Sequence, residues 1–191
     1  MNNVCRLLQA VASAAALWGC QGSAGYTPVP LPKAFPRIEV YGEAYSPVEI
    51  SGLELPLNSN ATVSRPGDTW LDAAYPAYRG TLHITVGDHG SSGDINRAID
   101  NRRERVALNL GDNPFRTENF TSENGEFVCE LVVSPESGLT PVQFLATDGR
   151  YLVSGTFALS STTASADSVA PVVNAVARDI RHTLRHIKYS K

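Results

Sequence analysis

The C-terminal segment, from Asp167 to Lys191, constrains the fold more than any other part of the chain. Asp167 or Ser168 can cap a helix there, and Pro171 is tolerated in its first turn. One apolar stripe with helical spacing follows, made of Val169, Val172, Val173, Val176, Ile180, Leu184 and Ile187. A helix with one apolar face must pack on another layer. We therefore predict that residues 169–189 form a helix that covers a sheet.

A second helix is predicted over residues 92–110. Ser91 and Asp94 suit its start, where the helix dipole favours negative charge, and Gly111 suits its end. Its apolar stripe consists of Ile95, Ala98, Ile99 and Val106. The run Arg102-Arg103-Glu104-Arg105 favours a solvated helix face over an anion site.

The remaining segments alternate apolar and polar side chains, as half-buried strands do. The dipeptide Asp148-Gly149 is a strong hairpin signal, and a two-residue turn there would pair Phe144 with Val153. Because this hairpin carries apolar residues on both faces, it fits a sheet covered on both sides. We predict strands at 37–41, 47–51, 80–86, 118–121, 126–133, 141–147 and 150–159, with a short edge strand near 61–63.

The N-terminus has the layout of a secretory signal. Arg6 supplies a positive charge, and the apolar run from Leu7 to Ala16 is far shorter than the ~20 residues that a membrane span needs. Leu17-Trp18-Gly19-Cys20 resembles a bacterial lipobox, in which the cysteine is diacylated and the peptide is cut before it. We predict a signal peptide at 1–19 and lipidation of Cys20. The alternatives are a signal peptide cut elsewhere or a partly buried N-terminal helix.

The next residues predict a tether and then one domain. Residues 20–36 carry Gly and Ser first and then four prolines, which favour extended polyproline II. Residues 37–191 are long enough for a single domain with a sizeable core. With 16 Lys and Arg against 19 Asp and Glu, the chain has no overall basic field, so nucleic acid is not expected as a partner.

Cysteine usage excludes an intrachain disulfide. Of the three cysteines, Cys5 leaves with the signal and Cys20 is lipidated, which leaves Cys129 alone. Its place in an alternating strand favours a small buried residue over a nucleophile. The fold predicted is therefore an α+β domain held by its core, with a mostly antiparallel sheet of about six or seven strands and the two helices packed against it.

No recognised catalytic motif is present, and the candidate site residues are weak. Trp70, Tyr75 and His83 could line a cleft for a small ligand or glycan, although His83 also fits an ordinary sheet position. Asp179, His182 and His186 share one flank of the last helix, where a polar surface is favoured over a metal site. A basic stripe on that helix comprises Arg178, Arg181, Arg185 and Lys188. Positive charges near a helix C-terminus are favoured by the helix dipole, which explains the stripe; the alternative is contact with anionic lipid headgroups or an acidic partner.

Asp167-Ser168-Val169 resembles the short motif at which Bacteroidota O-glycosylate exported proteins. Helix capping by the same residues competes with this interpretation.

The order of several short motifs resembles the gliding motility lipoproteins called GldD. The resemblance spans nearly the whole chain after the signal. Its motifs are Tyr26-Thr27-Pro28-Val29-Pro30, Phe35-Pro36-Arg37-Ile38, Trp70 with Tyr75-Pro76, Leu82-His83-Ile84, Gln143-Phe144 with Thr147-Asp148, and Ala170-Pro171-Val172 with Asp179-Ile180. The order of strands and helices is also similar to Mog1/PsbP-like sandwiches, an analogy of fold that gives no function.

The resemblance implies a non-enzymatic cell-envelope lipoprotein of Bacteroidota, an accessory or assembly subunit associated with gliding and type IX secretion. It implies no cofactor. The expected partners are the lipid bilayer, through Cys20, and an envelope protein complex. Gln21-Gly22-Ser23 lacks the acidic run associated with surface export, so we expect the protein to face the periplasm. The alternative is a periplasmic lipoprotein that binds a small ligand in a cleft near Trp70 and His83.

Overall fold

A computed structural model describes residues 40–90, 92–160 and 166–190. These belong to a compact unit, Pro36–Lys191, and the other unit, Met1–Phe35, lies outside the described residues. The predicted signal peptide, the lipidated Cys20 and the tether therefore lie outside them as well. So does most of the strand predicted at 37–41, of which Val40 and Tyr41 are described and are not in a strand.

The described residues form two antiparallel sheets and two helices, which confirms the α+β prediction. The elements are β1 Tyr45–Ile50, β2 Leu53–Asn58, β3 Thr62–Ser64, β4 Trp70–Tyr75, β5 Gly80–Asp88, α1 Ser92–Leu110, β6 Arg116–Thr121, β7 Val128–Val133, β8 Val142–Thr147, β9 Tyr151–Leu159, α2 Ala166–Arg185 and β10 Lys188–Tyr189. The larger sheet has seven strands in the order β3-β4-β5-β9-β8-β7-β6, and the smaller has the order β1-β2-β10.

The two faces of the large sheet are covered differently. Helix α2 and the small sheet pack on one face, here called the inner face, and bury the main core. Helix α1 crosses the other, outer face over β8 and β9, where Ile95 packs on Leu145 and Leu152. The outer face of β3, β4 and β5 carries the exposed residues Trp70 and His83. The central hairpin is thus covered on both sides, as its two apolar faces predict.

The hairpin between β8 and β9 has a different register from the one predicted. Phe144 pairs with Gly155, not with Val153. The turn lacks the two positive φ angles of a type I′ turn, since only Gly149 has one. Instead, the Asp148 carboxylate accepts hydrogen bonds from the backbone N–H groups of Arg150 and Tyr151, at 2.8 and 2.6 Å, and this opens the turn.

A type I′ turn occurs at Ser51-Gly52, where both residues have positive φ, and it joins β1 to β2. Strand β2 was not predicted, because its segment is rich in residues that disfavour strands. Pro56 lacks the N–H that a ladder needs, but β10 pairs only with Leu53 and Glu54 of β2. Within the described ranges, Pro56 therefore has no neighbouring strand on that side.

The last helix ends earlier than predicted. Helix α2 stops at Arg185, and Lys188 and Tyr189 form β10 instead of a final turn. Ile187 nevertheless stays buried, at 1% exposed. The burial predicted for Ile187 therefore holds although it lies in the connection between α2 and β10, outside both elements.

Candidate functional site

The candidate ligand residues do not form one cluster. Trp70 on β4 and His83 on β5 share the outer face, with Trp70 opposite Thr85 and Asp72 opposite His83. Tyr75 is 1% exposed and lies on the inner face, where it packs edge-on against Phe157. Successive strand residues alternate between faces, so the odd spacing from Trp70 to Tyr75 separates them.

His83 is held by a carboxylate on the neighbouring strand. Its Nδ1 lies 2.6 Å from Asp72 Oδ1, and the two side chains are 52% and 24% exposed. This pair fixes one orientation of the imidazole ring. Because both groups are in contact with water on an open sheet face, their interaction is screened and adds little to stability.

The thiol of Cys129 is structural. Its side chain is buried in the main core, and its Sγ lies 3.7 Å from the carbonyl oxygens of Phe127 and Leu184. Burial raises the pKa of Cys129 to about 12, so the reactive thiolate is not formed at neutral pH.

Three of the four residues in the predicted basic stripe are paired with acidic groups. Arg181 makes a bidentate contact with Glu118 at 2.6 and 2.8 Å, and Lys188 Nζ lies 2.8 Å from Glu54. The hydrogen bonds from Arg181 lower the pKa of Glu118. The other two members of the stripe, Arg178 and Arg185, contact respectively Glu43 and the ring of Phe120.

Asp179, His182 and His186 lie together but are engaged in protein contacts. The His182 ring stacks on Tyr45, with centroids 3.6 Å apart, and on His186, with centroids 4.1 Å apart. Burial and the neighbouring His186 lower the pKa of His182. Among the residues that the structure describes, no group of three or more His, Cys, Asp or Glu side chains could hold a metal ion.

Asp179 instead organises a polar junction within the domain, between α2 and the strands β1 and β2. It is 1% exposed and accepts hydrogen bonds from the Tyr45 hydroxyl and from Asn58 Nδ2, each at 3.0 Å. Its neighbour Arg178 donates to the carbonyl of Tyr41 at 3.0 Å. The first described residues of the domain are therefore attached to α2 by polar contacts that are part-buried at Tyr41 and Tyr45 and buried at Asn58.

A further surface was not predicted from sequence. The space between α1 and the outer strands β6 and β7 forms two hollows of about 250 and 260 Å³, which we call the outer trough. The ion pair of Arg103 and Glu130 lines both hollows. Phe115, 58% exposed, lines one hollow, and Val128, 63% exposed, lines the other.

The outer trough lies beside the free edge of the large sheet. Among the strands that the structure describes, β6 ends the strand order and pairs with β7 alone. An edge strand presents unpaired backbone N–H and C=O groups, which another extended chain can satisfy. The signal available in the sequence was an aromatic residue, Phe115, in a loop next to a polar strand.

No helix within the described ranges is both long and apolar enough to cross a membrane. A family model described as gliding motility lipoprotein GldD matches residues 25–189. A comparison with curated protein sequences finds no match.

Proposed function

Because the chain belongs to the gliding motility lipoprotein GldD family, we propose that it is a non-enzymatic, lipid-anchored accessory or assembly subunit of the gliding and type IX secretion machinery. The observation that carries this proposal is the family match, which extends over residues 25–189 and so includes nearly all of the chain after the signal.

The anchor in this proposal is Cys20. Diacylation of its sulfur would hold the protein on a membrane, and two acyl chains provide stable attachment where one gives only marginal binding. The protein then faces the periplasm, since Gln21-Gly22-Ser23 lacks the acidic run associated with surface export. The prolines of residues 20–36 separate the domain from the bilayer surface.

The docking surface in this proposal is the outer trough, and its occupant is an extended strand of an envelope partner. Such a strand can add to the free edge of β6 through backbone hydrogen bonds. Its side chains on the outer face would then lie beside Phe115 at the start of β6, and the part of the partner that continues over the trough would cover Val128 on β7. Water solvates the exposed apolar area of both residues poorly. The Arg103–Glu130 pair, which lines both hollows, would separate the two places where side chains of the partner enter the trough.

The basic stripe is a weaker candidate for a partner or membrane surface. Arg178, Arg181 and Lys188 already have acidic partners within the domain, so little positive charge is available for lipid headgroups. The geometry also gives the ligand-cleft alternative less support, because Tyr75 lies on the opposite face from Trp70 and His83.

The experiment is a pull-down from membranes with four tagged chains: wild type, Cys20→Ala, Phe115→Ser with Val128→Ser, and Leu139→Ser. Leu139 is also exposed and apolar, at 50%, but lies outside the outer trough, so it is the matched control. We expect wild type, Cys20→Ala and Leu139→Ser to recover the same envelope proteins, and the double variant to lose them.

Two results would overturn the proposal. Recovery of no envelope protein by wild type or Cys20→Ala would remove the assembly role. Equal recovery by the double variant and Leu139→Ser would remove the outer trough as the docking surface while leaving the assembly role in place.

A further inference from the structure

A separate groove lies on the opposite flank of α1 from the outer trough. It measures about 410 Å³ and opens between α1 and strands β5 and β9. Helix α1 contributes the polar residues Asn101, Arg102 and Arg105 to its lining. The remaining polar lining residues are Thr69, Thr85, His89 and Ser154. No aspartate or glutamate is among its lining residues.

Arg102 is fixed in this groove by the sheet. Its Nη2 donates to the carbonyl oxygen of Gly155 and to Thr156 Oγ1, both at 2.6 Å. Its Nε is buried without a hydrogen-bond partner, and its Nη1 makes no hydrogen bond to the described residues. The guanidinium is therefore positioned by neutral groups and keeps unused donors.

Neither arginine of the groove has a counter-charge in the described part of the chain. On the other flank of α1, Arg103 forms an ion pair with Glu130 of β7. Arg102 and Arg105 make no ion pair with any described residue. Burial, and secondarily the charge of Arg105, lower the pKa of Arg102. Arg102 is half-buried and Arg105 is exposed beside it. Partly buried charges in proteins are normally paired, so the unpaired Arg102, with a second cation nearby, favours binding of an anion.

We propose that this groove binds a small anionic ligand through a phosphate, sulfate or carboxylate group held between Arg102 and Arg105. The hydroxyls of Thr85 and Ser154 and the amide of Asn101 can hydrogen-bond to the rest of the ligand. A volume of about 410 Å³ suits a molecule of sugar or nucleotide size and exceeds what a bare oxyanion fills. Within residues 102–105, Arg103 thus forms an ion pair on one flank of α1, while Arg102 and Arg105 form the anion site on the other.

The test uses the mature chain with Cys20→Ala at low ionic strength and isothermal titration calorimetry. The probes are inorganic phosphate, glucose 6-phosphate and glucose. We expect both phosphates to bind and glucose not to bind. Arg105→Gln should weaken the binding of phosphate about tenfold or more, because a charged hydrogen bond is lost.

Arg97→Gln is the matched control, since Arg97 is an exposed arginine of the same helix that does not line the groove. It should bind phosphate as wild type does. Arg102→Lys keeps the charge but loses the planar fork, and we expect intermediate affinity. Absence of binding by both phosphates, or equal weakening by Arg97→Gln and Arg105→Gln, would overturn the proposal.

A further arm separates a free ligand from a lipid headgroup that carries the same phosphate chemistry. Vesicles of phosphatidylglycerol are compared with vesicles of phosphatidylcholine in a flotation assay, each with wild type and Arg105→Gln. Arg105-dependent flotation with the anionic vesicles assigns the oxyanion to a lipid headgroup. Calorimetric binding of glucose 6-phosphate without flotation assigns it to a free molecule.

Discussion

Replacing Tyr45 by Phe tests the polar junction between β1 and α2. The substitution removes one hydroxyl, which donates to the buried carboxylate of Asp179 at 3.0 Å. Burial and the carboxylate raise the pKa of Tyr45 to about 12, so this hydroxyl is protonated and acts as the donor at neutral pH. The ring itself, stacked on His182, is retained.

The expected loss of stability is about 1.5–3 kcal/mol, the usual contribution of a hydrogen bond to a charged group. Asp179 keeps its contacts with Asn58 and Arg178, which places the value at the lower end of that range. For a domain of this size the Tm should fall by about 3–6 °C. The assay is urea and thermal unfolding of the mature chain with Cys20→Ala, followed by circular dichroism.

Tyr151→Phe is the matched control, because the Tyr151 ring contacts Tyr189 while its hydroxyl has no hydrogen-bond partner in the described residues. We expect this variant to stay within about 0.5 kcal/mol of wild type. If Tyr45→Phe and Tyr151→Phe unfold at the same urea concentration, the junction does not depend on the Asp179 contact and the reasoning is refuted.

Three further substitutions test other parts of the structure. Burial raises the pKa of Asp179 above its ordinary 3.8, so the folded state holds this proton more tightly than the unfolded state. The contribution of Asp179 to stability therefore falls as the pH rises from the unfolded-state pKa through the raised folded-state pKa. The free energy of unfolding of wild type relative to Asp179→Asn should accordingly be higher at pH 4 than at pH 7. Asp148→Ala removes the acceptor of two backbone N–H groups and should reduce the free energy of unfolding by about 1–3 kcal/mol, whereas a type I′ turn would lose little. Gly155→Ala would place its Cβ 2.7 Å from the carbonyl oxygen of His83 and should destabilise by about 1–3 kcal/mol or more in a melt, while Gly42→Ala, with open space around it, should not.

Much of the fold follows from periodicity alone. The predicted register of the β8–β9 hairpin was wrong by two residues, yet Phe144, Ala146, Val153 and Phe157 still share the inner face. A shift of two residues returns each side chain to the same face, so the prediction of buried positions survives the error in pairing. The turn type itself depends on the side chain of Asp148, which competes with the backbone pattern that the dipeptide favours.

The surfaces were harder to predict because their partners are distant in the sequence. Three residues of the predicted basic stripe, Arg178, Arg181 and Lys188, are paired with Glu43, Glu118 and Glu54, which come from three other segments of the chain. Likewise, helical geometry puts Arg103 and Arg105 on opposite flanks of α1, because residues two apart lie about 200° apart around the axis. The sequence does not show that one of them meets Glu130 and that the other lies at a groove without acids. Side-chain pairing across elements requires the fold.

Photo-crosslinking from the outer trough tests whether an envelope partner docks there. A photoreactive amino acid is placed at position 115, within the trough, or at position 139, which is also exposed but lies outside it, and cells are irradiated before the membranes are solubilised. We predict that position 115 crosslinks to an envelope protein that co-purifies with wild type and that position 139 does not. Crosslinks from position 139 to that protein and none from position 115 would contradict the account.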